Sequence, residues 1–443
     1  MPDRRGDEES GPESPPHFES LTTSSPADSG QAVEGAMLLA RIRASGSASA
    51  SVAAGTVTAA SAAAGLVDRQ LIEVPGAGGA HRILVLGWTE GASPDPDQHP
   101  SAPPRRLTPV QLLTWATCLA AAWPRAADDP YPGISFRREN VLRACIKMGA
   151  HDNAVVAALN MLPRTGMIKF AGAVGRLGPA AAGLPSETWS ALRRMHDRLP
   201  HTALQQGPAD AGTSIPDDAD AMTGARRVPG PSAGPVGTSD TLVRGAVAAL
   251  ENAQGPIPRS DLGMLADPAI RRTTENALAG CGRTLILTPA GSWTTGYPDH
   301  ITAALVHEQI GVLSRDQRAA LALVLLRTVA IPRAQGRIDG AWTSSSIPVA
   351  LDELAANRPA SRTRISDALK GLRAAGYITS TPSGGYILGP AMSRLSQASV
   401  ELLWEDLIIL ARPNGYMAER IRGRRAEARA TAAEPRHCGA DEE

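Results

Sequence analysis

Cysteine is sparse in this chain of 443 residues: Cys118, Cys145, Cys281 and Cys438 stand far apart with no CxxC pair. That spacing excludes a zinc knuckle and a disulfide framework and fits a reducing compartment. Aromatic residues make up only 3% of the chain while alanine is abundant, so the expected cores are small-residue helical cores and not large β-sandwiches. No apolar run reaches the roughly eighteen residues of a membrane-spanning helix. The first thirty residues, MPDRRGDEESGPESPPHFESLTTSSPADSG, are polar and acidic and lack the apolar segment of a signal peptide. A net charge of +0 gives no whole-chain attraction for a polyanion.

Catalytic patterns are missing too. There is no GxxxxGK[ST] loop, and GAGGAH at 76–81 lacks the strand and helix of a dinucleotide site, so it reads as a hairpin tip. No GxSxG occurs, His307-Glu308 has no second histidine at zincin spacing, and the nine histidines form no ligand-spaced set. Asp128-Asp129 and Asp217-Asp218 lie in proline-rich surroundings and read as solvated loop charge. The chain is therefore not read as an enzyme, and no cofactor or metal is expected.

Glycine and proline are plentiful, at 43 and 36 residues, and concentrate in stretches that cannot bury enough surface to offset chain entropy. The expected division is a disordered acidic head 1–31, an island 32–90, a linker 91–106, an island 107–200, a linker 201–238, islands 239–298 and 299–390, helices over 391–425, and a frayed tail 426–443.

The last island is the clearest. Ser314-Arg-Asp-Gln317 is a capping box opening a helix of 314–331. Ser346 is placed to cap a second helix, PVALDELAANR, ending before Pro359. Ser361 caps a third, RTRISDALKGLRAAG, with Ile365, Ala368, Leu369 and Leu372 on one face and Gly376 just past its end. Strands over 377–381 and 385–388 follow, joined by Pro-Ser-Gly-Gly. Three helices followed by a two-stranded hairpin resemble the winged helix-turn-helix superfamily. That resemblance implies a third helix that enters the DNA major groove and a wing that touches the flanking backbone.

The frame Leu369, Leu372, Gly376-Tyr377-Ile378 recurs at Leu159, Leu162, Gly166-Met167-Ile168 and at Leu278, Cys281, Leu285-Ile286-Leu287. A weaker copy is Ala63, Leu66, Gln70-Leu71-Ile72. Repetition suggests serial duplication of one small domain. The fold class expected is mainly α with small β-hairpins (α+β), as up to four tandem winged helices joined by disordered Pro/Gly-rich linkers.

Donors on the exposed face of the third helix separate the copies, because phosphates and base edges are contacted by donors. The last copy offers Arg358, Ser361, Arg362, Thr363, Arg364, Ser366 and Lys370; the third offers Arg271, Arg272, Thr273 and Asn276. The second has His151, Asp152 and Asn153 there, with Arg137, Arg138 and Arg143 at its second helix, and so suits backbone or protein contact better. The first has Thr56, Thr58 and Ser61 without arginine and is not expected to read DNA. An ordinary solvated helix face is the plain alternative throughout. The apolar helix 393–411 reads as a packing or homodimerisation element, and Arg420, Arg422, Arg424 and Arg425 as phosphate contacts or a solvated helix.

The function expected is binding of double-stranded DNA by a cytoplasmic, nucleoid-associated regulator of transcription or factor in replication or segregation. The rival is a non-enzymatic assembly subunit whose winged helices pack on protein partners, as in accessory subunits of chromosome-condensing complexes.

Overall fold

The computed structural model describes residues 26–76, 81–89, 107–205, 226–228, 238–338, 347–356 and 361–433. They form a mixed α/β fold of helices with small antiparallel sheets, in four modules of related order. The first contains α1 (Pro26–Ser45), β1 (Ala48–Ser49), α2 (Ala54–Gly65), β2 (Arg69–Pro75) and β3 (Arg82–Trp88). The second has α3 (Pro109–Ala122), β4 (Phe136–Arg137), α4 (Arg138–Lys147), α5 (Asp152–Met161), β5 (Ile168–Ala171) and β6 (Val174–Leu177), trailed by α6 (Pro179–Ala182), α7 (Ser186–Arg194) and α8 (His201–Gln205). After β7 (Arg226–Arg227), the third has α9 (Thr238–Asn252), β8 (Ile257–Pro258), a 3-10 turn Gly263–Ala266, α10 (Pro268–Gly280), β9 (Thr284–Leu287), β10 (Ser292–Gly296) and α11 (Asp299–His307). The fourth has α12 (Arg315–Leu325), α13 (Ile331–Ala334), α14 (Leu351–Ala355), α15 (Arg362–Ala374), β11 (Ile378–Ser380) and β12 (Tyr386–Leu388), then α16 (Gln397–Ala411) and α17 (Tyr416–Ala433).

Each module places a short strand between its helices and hydrogen-bonds it to the return strand of the hairpin. The sheets run β1-β3-β2-β7, β4-β6-β5 and β8-β10-β9, and in the fourth module the bridge Val349↔Tyr386 does the same for β11-β12. The passage from last helix to hairpin turns each time through a positive φ: Asp68 at 56°, Gly166 at 74°, Gly282 at 70° and Gly376 at 78°. At Gly376 the turn closes with the amide of Tyr377 donating to the carbonyl of Leu372, and at Gly282 with that of Arg283 donating to Leu278, which satisfies end-of-helix carbonyls.

A longer repeat underlies the short one. Leu177-Gly178-Pro179-Ala180 recurs as Leu388-Gly389-Pro390-Ala391, with matching hydrogen bonds from Ala180 to the Gly166 carbonyl and from Ala391 to that of Gly376. Six residues beyond each leucine stand Gly183 and Arg394. The carbonyl of Gly183 lies against Gly87 at the end of β3, and the carbonyl of Arg394 lies against Gly296 at the end of β10. First and second modules are thus joined as third and fourth are.

The cores follow this arrangement. Leu38, Leu39, Ile42, Ala60, Ala64 and Leu71 form one buried cluster with Val243, Val247, Leu250, Leu262, Leu278 and Trp293, so the islands 32–90 and 239–298 share a core. The β2-β3 hairpin is buried on both faces: Leu71 and Leu84 join that cluster, while Ile72, Val74 and Val85 join the second module's core with Trp115, Leu119, Leu159 and Ile168. The fourth module closes its own core around Val324, Val329, Leu369, Leu372 and Leu407.

Several boundaries differ from the sequence reading. The helix read as 314–331 starts on the predicted capping box and runs on through a π turn, Leu326–Ala330, to Ala334. Pro332 lacks the amide for a regular turn, and widening the helix accommodates it. The helix read in PVALDELAANR is only Leu351–Ala355, and its expected cap Ser346 lies outside the described residues. Within the stretch read as a linker over 201–238, Arg226 and Arg227 pair with Glu73 and Ile72 of β2, because that edge strand has free backbone groups to satisfy. Helix α1 begins inside the stretch read as an acidic head, and α17 continues past 425 to Ala433. Among the described residues no helix is long and apolar enough to cross a membrane.

Candidate nucleic-acid interface

Helix α15 forms where the sequence puts it. Ser361 caps it by accepting the Arg364 amide at 3.3 Å, and Ile365, Ala368, Leu369 and Leu372 turn inward. The opposite face carries Arg362, Thr363 and Lys370, all exposed, with Ser366 half-buried beside them. Arg358 lies outside the described residues.

The cations of this face are not bare. Arg362 pairs with Asp352 of α14 at 2.6 Å, and Lys370 with Asp367 one turn back at 2.9 Å. Arg364 is held differently: its Nη2 donates to both carboxylate oxygens of Asp316, at 2.7 and 3.0 Å, and its Nε to one of them at 3.1 Å. That fork fixes the start of α15 against the start of α12, which makes Arg364 a clamp between helices. Arg373 donates to Ser380 in the hairpin at 3.2 Å.

In the third module, α10 is capped by Asp267, whose carboxylate accepts the Ala269 amide at 2.7 Å. Arg272, Thr273, Glu275 and Asn276 are exposed, while Arg271 is half-buried and Thr273 turns its hydroxyl back onto the Ala269 carbonyl. Beyond the end of α10, Cys281 packs against α2 with its thiol on the Ala63 carbonyl. The structure therefore leaves one narrow polar face on α10. In the first module Thr56 and Ser61 are buried, with Thr56 donating to Glu34 at 2.6 Å.

The C-terminal arginines join two helices. Arg424 and Arg425 both reach Glu405, Arg425 also pairs with Asp406 at 2.6 Å, and Arg422 donates to the Pro413 carbonyl at 2.7 Å. Arg420 is exposed.

The seam between first and third modules holds a buried charge cluster that the sequence reading missed. Arg43 donates to Glu251 at 2.6 Å and to the Cys281 carbonyl at 2.9 Å, and Arg69 lies 3.5 Å from the same carboxylate and 3.3 Å above the Trp88 ring. Burial, the largest influence, opposes the charge on Arg43, yet Glu251 and the neighbouring acceptors leave its pKa above the ordinary value. For Arg69 burial prevails and pushes it down to about 10.

The repeated frame places a hairpin here, but the third strand β4 and the register were missed: Lys169 lies directly opposite Arg176, and Arg137 opposite Val174, two residues along the same strand face as Arg176. The signal was present in Ile168-Lys-Phe-Ala171 and Val174-Gly-Arg-Leu177, whose strict alternation fixes which side chains share a face. Among the described residues, no group of histidine, cysteine or carboxylate side chains could hold a metal ion.

No family model, no curated protein and no solved structure matches the chain.

Proposed function

We propose that the chain is a non-enzymatic protein of tandem winged helices that binds double-stranded DNA, with α15 as the principal reading helix and α10 as the second. The observation that carries this reading is the fourfold recurrence of short strand, helix and hairpin, with the short strand or bridge on the return strand each time. On that frame α15 is the last helix before a hairpin, and its outward side chains are Arg362, Thr363, Ser366 and Lys370. The ion pairs of Arg362 and Lys370 are exposed, with about two thirds of each cationic side chain open to solvent. Exposed pairs of this kind contribute about 0–1 kcal/mol, so a phosphate can displace the aspartate at little cost. The role would be regulation of transcription, or replication or segregation of the nucleoid, in the cytoplasm.

A second reading, the assembly subunit that packs on proteins, is favoured by two observations. The first and third modules already use their surfaces on each other, and the last helices expose Leu402, Leu410, Tyr416 and Met417. Of these, Leu402 and Leu410 are where a homodimer through α16 would form.

Duplex binding by the full chain across a salt series separates the two readings. The DNA reading expects log K to fall with log salt, and Arg362→Gln plus Lys370→Gln to make the slope shallower by roughly two units, one per lost phosphate contact. Unchanged affinity and slope in that variant would remove α15 as the reading helix, and no duplex binding at low salt would leave the assembly reading.

A further inference from the structure

The outer face of the sheet β4-β6-β5 carries like charges that no carboxylate among the described residues neutralises. Gly175 marks the inner face, because a Cβ there would meet the rings of Phe136 and Phe170 at 2.5 and 2.7 Å, and those rings pack edge to face with centroids 6.1 Å apart. Ile168, Phe170 and Leu177 share that inner side. Alternation then sends Lys169, Ala171, Val174 and Arg176 to the other side, together with Arg137 from β4. Lys169, Arg137 and Ala171 are exposed and Arg176 is half-buried. None of Arg137, Lys169 and Arg176 has a carboxylate partner among the described residues.

Like charges placed directly opposite on an antiparallel pair destabilise it. Here the register of Ile168↔Leu177 and Phe170↔Gly175 locks Lys169 against Arg176, so slippage cannot relieve the repulsion without exposing the inner aromatic and aliphatic side chains. At the equivalent register of the fourth module the facing pair is Thr379↔Ile387, so a hairpin of this form does not need charge at this position. The plate is also plain in shape. Its remaining side chains are Ala171 and Val174, and the hairpin tip is Gly172-Ala173, with open space around Gly172.

We infer that this face is a docking surface for the phosphate backbone of duplex nucleic acid. Point charges on a flat sheet with only small side chains between them suit a repeating array of phosphates; an acidic peptide would call for pockets that hold its other side chains. The contact is sequence-independent and electrostatic. It rests on the duplex-binding reading for its partner but on different residues, in a module whose last helix carries no arginine or lysine.

The test is fluorescence anisotropy of the full chain on a mixed-sequence duplex over a salt series, comparing wild type, the triple variant Arg137→Gln, Lys169→Gln, Arg176→Gln, and the pair Arg362→Gln, Lys370→Gln. The triple variant is expected to bind roughly tenfold or more weakly at moderate salt, with a slope shallower by about two to three units. Its Tm stays equal or rises, since repulsion is removed. Should the triple variant misfold, Lys169→Gln alone provides the test through a slope change of about one unit. A triple variant equal to wild type while the α15 pair weakens overturns the plate and leaves the DNA reading. Loss in the triple variant with no loss in the α15 pair keeps the plate and removes α15. Failure of wild type to bind at low salt overturns both. Polyglutamate that displaces the duplex from wild type at equal charge concentration overturns the nucleic-acid assignment in favour of an acidic polypeptide.

Discussion

Arg43 and Glu251 meet at 2.6 Å in the seam between the first and third modules, both almost wholly buried, and Arg69 approaches the same carboxylate from the other side. Two guanidinium groups thus depend on one acid in a place where water cannot screen them. Removing one partner of a buried pair leaves an uncompensated charge and costs about 3–5 kcal/mol. Glu251→Gln is therefore expected to lower stability by about 3 kcal/mol or more, read from the urea midpoint of the full chain. A midpoint within error of wild type would show that the seam does not hold these charges together.

Gly389 can be no larger than it is. A Cβ on it would run into the carbonyl oxygen of Gly376 and come within 2.9 Å of the carbonyl carbon, both of them backbone atoms that cannot swing away. Gly389→Ala is expected to cost about 2 kcal/mol or more, at the upper end of what overpacking a site costs. Gly423, in the middle of α17, has nothing within 4 Å of its would-be Cβ. There the same substitution should stabilise by up to about 1 kcal/mol through helix propensity alone. Thermal melts of the two single variants decide the matter, and a shift of the same sign in both would refute the steric account.

Acidification should loosen the second module through His201. Its ring lies on that of His196, with centroids 4.5 Å apart, and its Nε2 is buried without a hydrogen-bond partner among the described residues. Burial first, and then the charge of His196, hold its pKa below the ordinary value against weaker help from Asp197 and from backbone hydrogen bonds involving His196 and Ala120. The unfolded chain takes up this proton near pH 6.5 and the folded one only at lower pH. The stability contributed by neutral His201 is thus complete above about pH 6.5 and declines as the pH falls through that value. Between pH 7.5 and 5.5, wild-type Tm should fall more than that of His201→Gln. Parallel profiles would exclude the histidine as the cause.

Much of the fold could be read from local chemistry. The capping box at Ser314, the cap at Ser361 and the turn glycines at Gly166 and Gly376 are short-range signals, and each stands where its residues put it. The short strands Ala48–Ser49, Phe136–Arg137 and Ile257–Pro258 were not legible, because two residues carry no periodicity and exist as strands only by virtue of a partner. The shared core was hidden for a related reason. Leu38 and Val247 show that each belongs on an apolar helix face, but nothing in either segment says which distant face it meets. The candidate site divides along the same line. That Arg362 and Lys370 point outward followed from helical spacing, whereas the engagement of Arg364 by Asp316, 48 residues earlier, is a tertiary fact.

The shared core also sets an order of events during synthesis. Arg43 and Glu251 are 208 residues apart in the chain, and Leu38, Ile42 and Leu71 are made long before Val243, Leu278 and Trp293. At translation rates of about 5–20 residues per second, the first module waits on the order of ten seconds or more for the strands and helices that cover it. Throughout that interval an alanine- and leucine-rich face stands open beside the ribosome. The N-terminal half of this protein is thus the part that most needs guarding while the rest of the chain is being made.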